Sequence, residues 1–372
     1  MSWSVDDVIR QMDELIGHGT VRYVAASGSR LIIPALDGFR GRPRPIGGLR
    51  TDHVEPPLVE LITRHIADLR RLDDRAGGGA LSLRYVDNEL HAVLDLLRNA
   101  VCRADVHDRL LLAAGDLAQL SGWMHCDAGD HGTGQRYLLL ATRAARTVSD
   151  SPDSRIRALA QESAANMVGM LAYQSAHAGR PEDAIRLAEA AVDSTRAARP
   201  TTRARLAGRL ATAYAAAGDV HGFRDNAETA RRLLESRTTD DPGFLYYFNA
   251  DQLSAEAGQA LVDLAGRRPS ERRRLLIEAI ELLTPLTSSG PRGDYQRSAL
   301  LHGCYLVQAH LLNHDLETAT RATRAALSRL PEVQSGRCRV LLRGLRQAFG
   351  RRARNPYVAD LLPELDAALR TA

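Results

Sequence analysis

Lysine is missing from this chain of 372 residues, so all 49 of its Lys+Arg positions are arginine. That excludes a Schiff-base lysine and a phosphate-binding loop of the G-x-x-x-x-G-K-[ST] type. Cysteine is limited to Cys102, Cys126, Cys304 and Cys338. These lie too far apart for a C-x-x-C motif and give neither a disulfide framework nor a zinc site. No apolar run approaches the ~18 residues needed to span a bilayer. The opening Met1-Ser2-Trp3-Ser4-Val5-Asp6-Asp7 lacks the basic start and apolar core of a signal peptide. These absences lead to the expectation of a cytoplasmic protein without membrane association. Also lacking are a G-x-S-x-G elbow, an H-E-x-x-H pair and a recognisable pair of catalytic carboxylates. The sequence is therefore read as non-enzymatic, with no cofactor and no metal.

What is present points to helix. Aromatic residues make up only 5% of the chain, while Ala, Leu and Arg dominate; these form helices readily and strands poorly. The hydrophobic fraction of 44% and charged fraction of 25% are those of a folded protein. A net charge of +4 is mild for this length and does not by itself call for nucleic acid. The chain is long for one compact helical domain and suits an extended repeat array.

Residues 4–16 predict an amphipathic helix with Val5, Ile9, Met12 and Leu15 on one face, capped by Ser4. Residues 21–39 are apolar without a clean period. Residues 41–57, with four Pro and three Gly, read as a linker. Helices follow from Pro57 to the Gly77-Gly78-Gly79 break and over 80–99. From residue 105 onward, Ala/Leu-rich helices alternate with tight turns at Ala128-Gly129-Asp130, Ala178-Gly179-Arg180, Ala217-Gly218-Asp219, Ala265-Gly266-Arg267 and Asn313-His314-Asp315. Gly or Asn there permits the left-handed residue that ends a helix.

Aligned on these turns, Leu171, Ala172, Ala184 and Ala191 fall on the interlocking positions of the tetratricopeptide pattern. So do Leu210, Ala211, Tyr214 and Ala230, and then Leu306, Ala319, Ala326 and Pro331. The turns are 50, 39, 48 and about 48 residues apart, against a usual ~34, so the units are longer than standard. The expected fold class is all-α, a tetratricopeptide-like right-handed α-solenoid of antiparallel helix hairpins; an irregular helical bundle is the alternative. The expected organisation is 1–56 as helix, connector and linker, 57–104 as an N-terminal hairpin, 105–332 as five degenerate hairpins, and 333–372 as capping helices.

Three stretches carry a more specific likeness: Leu69–Leu81, Leu117–Tyr137 (with Leu120-Ser121-Gly122-Trp123-Met124) and Tyr246–Gly258 (with Phe248-Asn249-Ala250-Asp251-Gln252-Leu253). Together they resemble the effector region of actinobacterial XRE-family helix-turn-helix transcriptional regulators, from about Trp3 to the C-terminus. Some members of that family resemble regulators of development and antibiotic production. The resemblance implies a cytoplasmic regulatory module that binds a peptide, a protein or a small signalling ligand. The ends of such a stack offer apolar helix faces, so a homodimer, or a heterodimer with full-length regulators, is the expected assembly. Residues 1–60 show no helix-turn-helix. The expectation is a chain without its DNA-binding head, so direct DNA binding is in doubt.

The concave groove is the expected site, with Asn166, Met170, Tyr173, Arg205, Arg209, Thr212, Asn249 and Asp251 as its ligand-binding residues. Asn and Arg can hold a peptide backbone or carboxylate through directed hydrogen bonds. Other clusters have simpler readings. His125-Cys126-Asp127-Ala128-Gly129-Asp130-His131 contains zinc-type ligands but spans a helix end and a turn, so the side chains should splay. Gly77-Gly78-Gly79 follows a helix and reads as a turn rather than a phosphate cradle. The Arg runs at 267–268, 272–274 and 337–354 read as solvated faces with acidic partners such as Glu278 and Glu281. A DNA-binding regulator acting through the Arg-rich C-terminal surface is the alternative function, and an enzyme of a biosynthetic cluster a more distant one.

Overall fold

The computed structural model describes residues 4–17, 23–40, 52–238, 240–288 and 295–371. The expectations for Trp3, for residues 21 and 22, and for most of the 41–57 linker lie outside the described residues. Sixteen α-helices form among those described. First come α1 (Val5–Gly17) and α2 (Ser29–Arg40), then α3 (Pro56–Ala76), α4 (Ala80–Asn99), α5 (Ala104–Asp127), α6 (His131–Thr147), α7 (Ser154–His177) and α8 (Pro181–Ser194). They are followed by α9 (Pro200–Ala217), α10 (Val220–Glu235), α11 (Ala250–Arg267), α12 (Arg272–Thr287), α13 (Gln296–Leu312), α14 (Leu316–Leu327), α15 (Gly336–Gly350) and α16 (Pro356–Thr371). The described strand structure is one short parallel pairing of β1 (Asp52–His53) with β2 (Ala100–Val101).

One local device recurs along the chain. At four turns a residue takes a left-handed conformation, with φ of 89° at Gly129, 72° at Gly179, 78° at Gly218 and 63° at His314. The next residue's N–H then bonds a carbonyl five residues back: Asp130 to His125, Arg180 to Ser175, Asp219 to Tyr214 and Asp315 to His310. This closes the helix end with a Schellman-type cap. Asp130, Asp219 and Asp315 then cap the following helix, accepting from the N–H of Thr133, Gly222 and Thr318. A single Asp thus ends one helix and starts the next. In the last of these turns His314, not Asn313, is the left-handed residue. The expected turn at Ala265-Gly266-Arg267 does not form. Helix α11 runs through Arg267 and stops because Arg268 precedes Pro269, which disfavours helical backbone.

These turns fold the chain into hairpins in which α5 packs on α6, α7 on α8, α9 on α10, α11 on α12 and α13 on α14. The alanines placed on interlocking positions, among them Ala172, Ala184, Ala191, Ala230, Ala319 and Ala326, are all buried. The first helix of each hairpin contacts the first helix of the next, in the order α5, α7, α9, α11, α13. Helix α3 packs on both α5 and α13, and so closes these helices into a ring. Helices α3 and α4 both form as expected, but α4 lies against α5, while α3 bridges the two ends of the ring. Helices α15 and α16 pack on α13 and α14.

The 21–39 stretch is not irregular throughout. Helix α2 buries Leu31, Ala35 and Phe39 at helical spacing, a pattern obscured in the sequence by Gly28 and Pro34. Before it, the extended backbone of Ala26 is held at both its N–H and its C=O by the Gln135 amide, while the Gly28 N–H reaches Asp183 at 2.7 Å.

Gly122 of α5 and Gly134 of α6 lie directly against one another. A side chain at Gly134 would strike the Gly122 carbonyl at 2.7 Å and the Cys126 sulfur. Gly134→Ala should therefore destabilise the fold by about 1–3 kcal/mol, read as a lowered urea midpoint. Gly344→Ala, where nothing lies within 4 Å, should leave the midpoint unchanged or raise it.

Candidate functional site

At the centre of the ring lies a partly open cavity of about 100 Å³, to which every ring helix contributes side chains. Helix α3 contributes Arg70, Asp73 and Asp74; α5 contributes Gln119, Trp123 and Asp127. Helix α7 contributes Asn166, Met170 and Tyr173, and α9 contributes Arg205 and Arg209. Across the ring stand Gln252 and Glu256 of α11 and Arg297, Ser298 and His302 of α13. Arg337, at the start of α15, reaches in from above. The segment before α11 adds the rings of Phe244, Tyr246 and Tyr247. Hydrophobic periodicity puts one stripe of each ring helix inward; here that stripe is charged and aromatic.

On the α3–α5 side three carboxylates surround one guanidinium. Arg297 lies 3.0 Å from Asp73, 2.6 Å from Asp74 and 4.0 Å from Asp127, with Trp123 beneath it at 5.6 Å. The Tyr246 hydroxyl donates to Asp74, and the Ser335 hydroxyl donates to Asp127 at 3.0 Å. Nearby, Gln334 donates its N–H to the Ala76 carbonyl at 2.6 Å. A Cβ at Gly77 would strike the Gln334 carbonyl, so glycine is required there both for its φ of 74° and for this approach. One guanidinium cannot balance three carboxylates. Burial pushes the Asp73 carboxyl up to about 7, against the pull of Arg297 and with help from Asp74 and Asp127.

The α9–α11 side is the inverse. Arg205 donates to Glu256 at 2.5 Å and Arg209 donates to the same oxygen at 3.5 Å. Gln252 donates to the other Glu256 oxygen at 2.9 Å. Burial would raise the Glu256 carboxyl, but Arg205 and Arg209 outweigh it and hold it well below the usual carboxylate range. Burial and the neighbouring Arg205 lower the Arg209 guanidinium. Arg209 stacks 3.9 Å from the centre of the Tyr173 ring, and Arg337 donates to the Tyr173 hydroxyl at 2.6 Å. Two histidines sit close by and stay neutral: burial lowers His177 to about 3 and His302 to about 4.

Of the residues anticipated from sequence, Asn166, Met170, Tyr173, Arg205 and Arg209 meet at this cavity. Thr212 instead lines a second, apolar space of about 290 Å³ between α9, α10, α11 and α12, with Phe223 and Leu253. Asn249 caps α11 by accepting from the Gln252 N–H. Asp251, in the first turn of that helix, is exposed. As site residues, Trp123, Glu256, Arg297 and Arg337 were not anticipated from sequence, nor were Asp73 and Asp74, which lie just before the Gly77-Gly78-Gly79 break. The adjacent pair Asp73-Asp74 carried a signal, because two acids in a last helical turn oppose the helix dipole. Arg337 is not part of a solvated face as expected; it is turned inward onto Tyr173. The rest of its run is divided, with Arg346 paired to Asp366 at 2.8 Å and Arg343, Arg351 and Arg354 exposed. Glu278 pairs with Arg224 rather than with the 272–274 run.

The cluster at 125–131 splays among several partners. His125 stacks on Tyr137 and faces Asp130. Asp127 turns to Arg297 and Ser335, and the Gln174 amide donates to Cys126 at 3.2 Å and to the His131 carbonyl at 3.1 Å. No helix among the described residues is long and apolar enough to cross a membrane. Comparison with protein families, with curated proteins and with solved structures finds no match to this chain.

The Asp73 carboxyl fixes a pH dependence. Between the ordinary 3.8 and about 7, folded Asp73 holds a proton that the unfolded chain has lost. Stability from this residue therefore falls as pH rises through that window. The melting temperature of the wild type minus that of Asp73→Asn should decrease from pH 4 to pH 7 and level off above. A difference that is flat across the window would place the carboxyl at its ordinary value.

Proposed function

We propose that this chain is the ligand-binding regulatory module of a transcriptional regulator, with a tetratricopeptide-like right-handed α-solenoid as its scaffold and the central cavity as its site. The observation that carries the reading is the convergence of side chains from six helices, including five of the anticipated groove residues, on one shared space. Binding rather than catalysis suits this lining, because most of its charged groups are held by ion pairs: Arg205 and Arg209 with Glu256, and Arg297 with Asp73 and Asp74. The likeness to XRE-family effector regions in the stretches 69–81, 117–137 and 246–258 supports a regulatory role. Each of these stretches contributes to the cavity wall: Asp73, Trp123 and Glu256 are examples. In such a module, ligand occupancy biases the contacts that close the ring, and the closed state is what a partner regulator or a second copy reads.

The test is a melting-temperature screen of metabolites and short peptides against the full chain and against Met170→Trp, which fills the cavity. Ligands at this site should stabilise the wild type by RT ln(1 + [L]/Kd) and leave Met170→Trp unmoved. Equal stabilisation of both proteins would move the site elsewhere. The purified chain should give no electrophoretic shift with DNA at moderate salt. A shift that weakens steeply with salt would assign the function to the exposed arginines of α15 and its C-terminal turn instead.

A further inference from the structure

The cavity is polarised across its width. Helix α3 stands opposite α9 in the ring, and α5 stands opposite α11. Three carboxylates on α3 and α5 therefore share the guanidinium of Arg297, while across from them Arg205 and Arg209 share the carboxylate of Glu256. Arg337 adds a third guanidinium near Tyr173, with no carboxylate within 4.0 Å among the described residues. An excess of buried charge of either sign is costly without a counter-charge. Each end also keeps one buried polar atom without a hydrogen-bond partner: Oδ1 of Asp73 and Nε of Arg205. Both residues are buried, at 4% and 2% exposure. One end lacks a donor and the other an acceptor.

We propose that the cavity takes a small zwitterion of the α-amino-acid type, its ammonium drawn to Asp73 and Asp74 and its carboxylate to Arg205, Arg209 and Arg337. This rests on the reading of the cavity as the ligand site and adds the class of ligand. A single molecule with both charges supplies what each end lacks, whereas a simple anion leaves the acidic end uncompensated and a simple cation leaves the basic end so. A carboxylate on arginine and an ammonium on aspartate form charge-assisted hydrogen bonds, the stronger kind in a low-dielectric site. The space of about 100 Å³ is smaller than the ~150 Å³ that takes a benzene ring. That size suits an amino acid with a small side chain. Between the two ends lie Trp123 and Tyr173, their ring centres 6.1 Å apart, with Met170 beside them. They offer an apolar wall to a side chain.

The experiment uses one carbon skeleton in four charge states, titrated calorimetrically into the full chain: L-alanine, propanoate, protonated L-alaninamide and neutral propanamide. L-alanine should bind roughly 10-fold or more tightly than either singly charged analogue, each of which forfeits one charge-assisted contact. Arg337→Gln should weaken L-alanine and propanoate and spare L-alaninamide. Asp74→Asn should do the reverse, sparing propanoate. Because the compounds are compared within each variant, a loss of stability common to all of them does not imitate this crossed pattern. If propanoate matches L-alanine the site is anionic in preference, and if L-alaninamide does so it is cationic. If the neutral amide matches it, the charges play no part. Each of these overturns the zwitterion while leaving the cavity as a ligand site. Absence of heat from all four compounds at about 10 mM, weaker than ~3 kcal/mol of binding, overturns both.

Discussion

Arg297 brings one positive charge among Asp73, Asp74 and Asp127, and the arrangement of the ring rests on that contact. Helix α13 has no other reason in its own turn chemistry to return to α3; its hairpin partner is α14, and its neighbour along the ring is α11. The guanidinium joins the end of α3, the end of α5 and the start of α13 in one cluster, with Trp123 beneath it. An ion pair buried in this way is a poor source of net stability, because desolvation offsets most of the attraction. Its contribution is specificity. Any arrangement of the hairpins that separated Arg297 from its carboxylates would leave charges buried and unpaired, so the closed ring is selected over its open alternatives.

Most of the helical framework was legible in the sequence, because it is written locally. Four of the five turns were visible as Gly or Asn between helical runs, although in the last of them His314 takes the role expected of Asn313, and α4 begins and ends where its pattern predicts. What could not be read was how the ends meet. Nothing in the local pattern of Ala76-Gly77-Gly78 announces that Gln334 will pack on it, since the two segments are more than half the chain apart. The turn misplaced at Ala265-Gly266-Arg267 and the unexpected helix α2 each involve a proline: Pro269 stops α11 only after Arg267, and Pro34 sits inside α2 without ending it.

The site was half legible for the same reason. Asn166, Met170 and Tyr173 share one face of α7, and Arg205 and Arg209 one face of α9, with ordinary helical spacing, so an alignment on the turns finds them. Arg297 and Arg337 lie beyond that alignment's reach. Their partners come from α3, α5 and α7, and their role appears only when the ring closes. Thr212, Asn249 and Asp251 were misdirected by a small error of phase. Thr212 lies one turn beyond Arg209 and faces α10 and α12, while Asn249 is taken up by its own helix N-terminus.

The Asp that ends one helix and caps the next also bears on the order in which the molecule assembles. Most of the hairpins carry their own stop and start signals within a few residues, so they can form from contacts close in sequence, which are fast and entropically cheap to make. The contact between Arg297 and Asp74 spans 223 residues, and its loop-closure cost falls late, once the intervening helices have shortened the gap. Newly made chain would therefore acquire its hairpins one after another from the N-terminal side, while the carboxylates of α3 and α5 wait for α13. The cavity is the last part of this protein to come into existence, and the first to be lost when its two ends part.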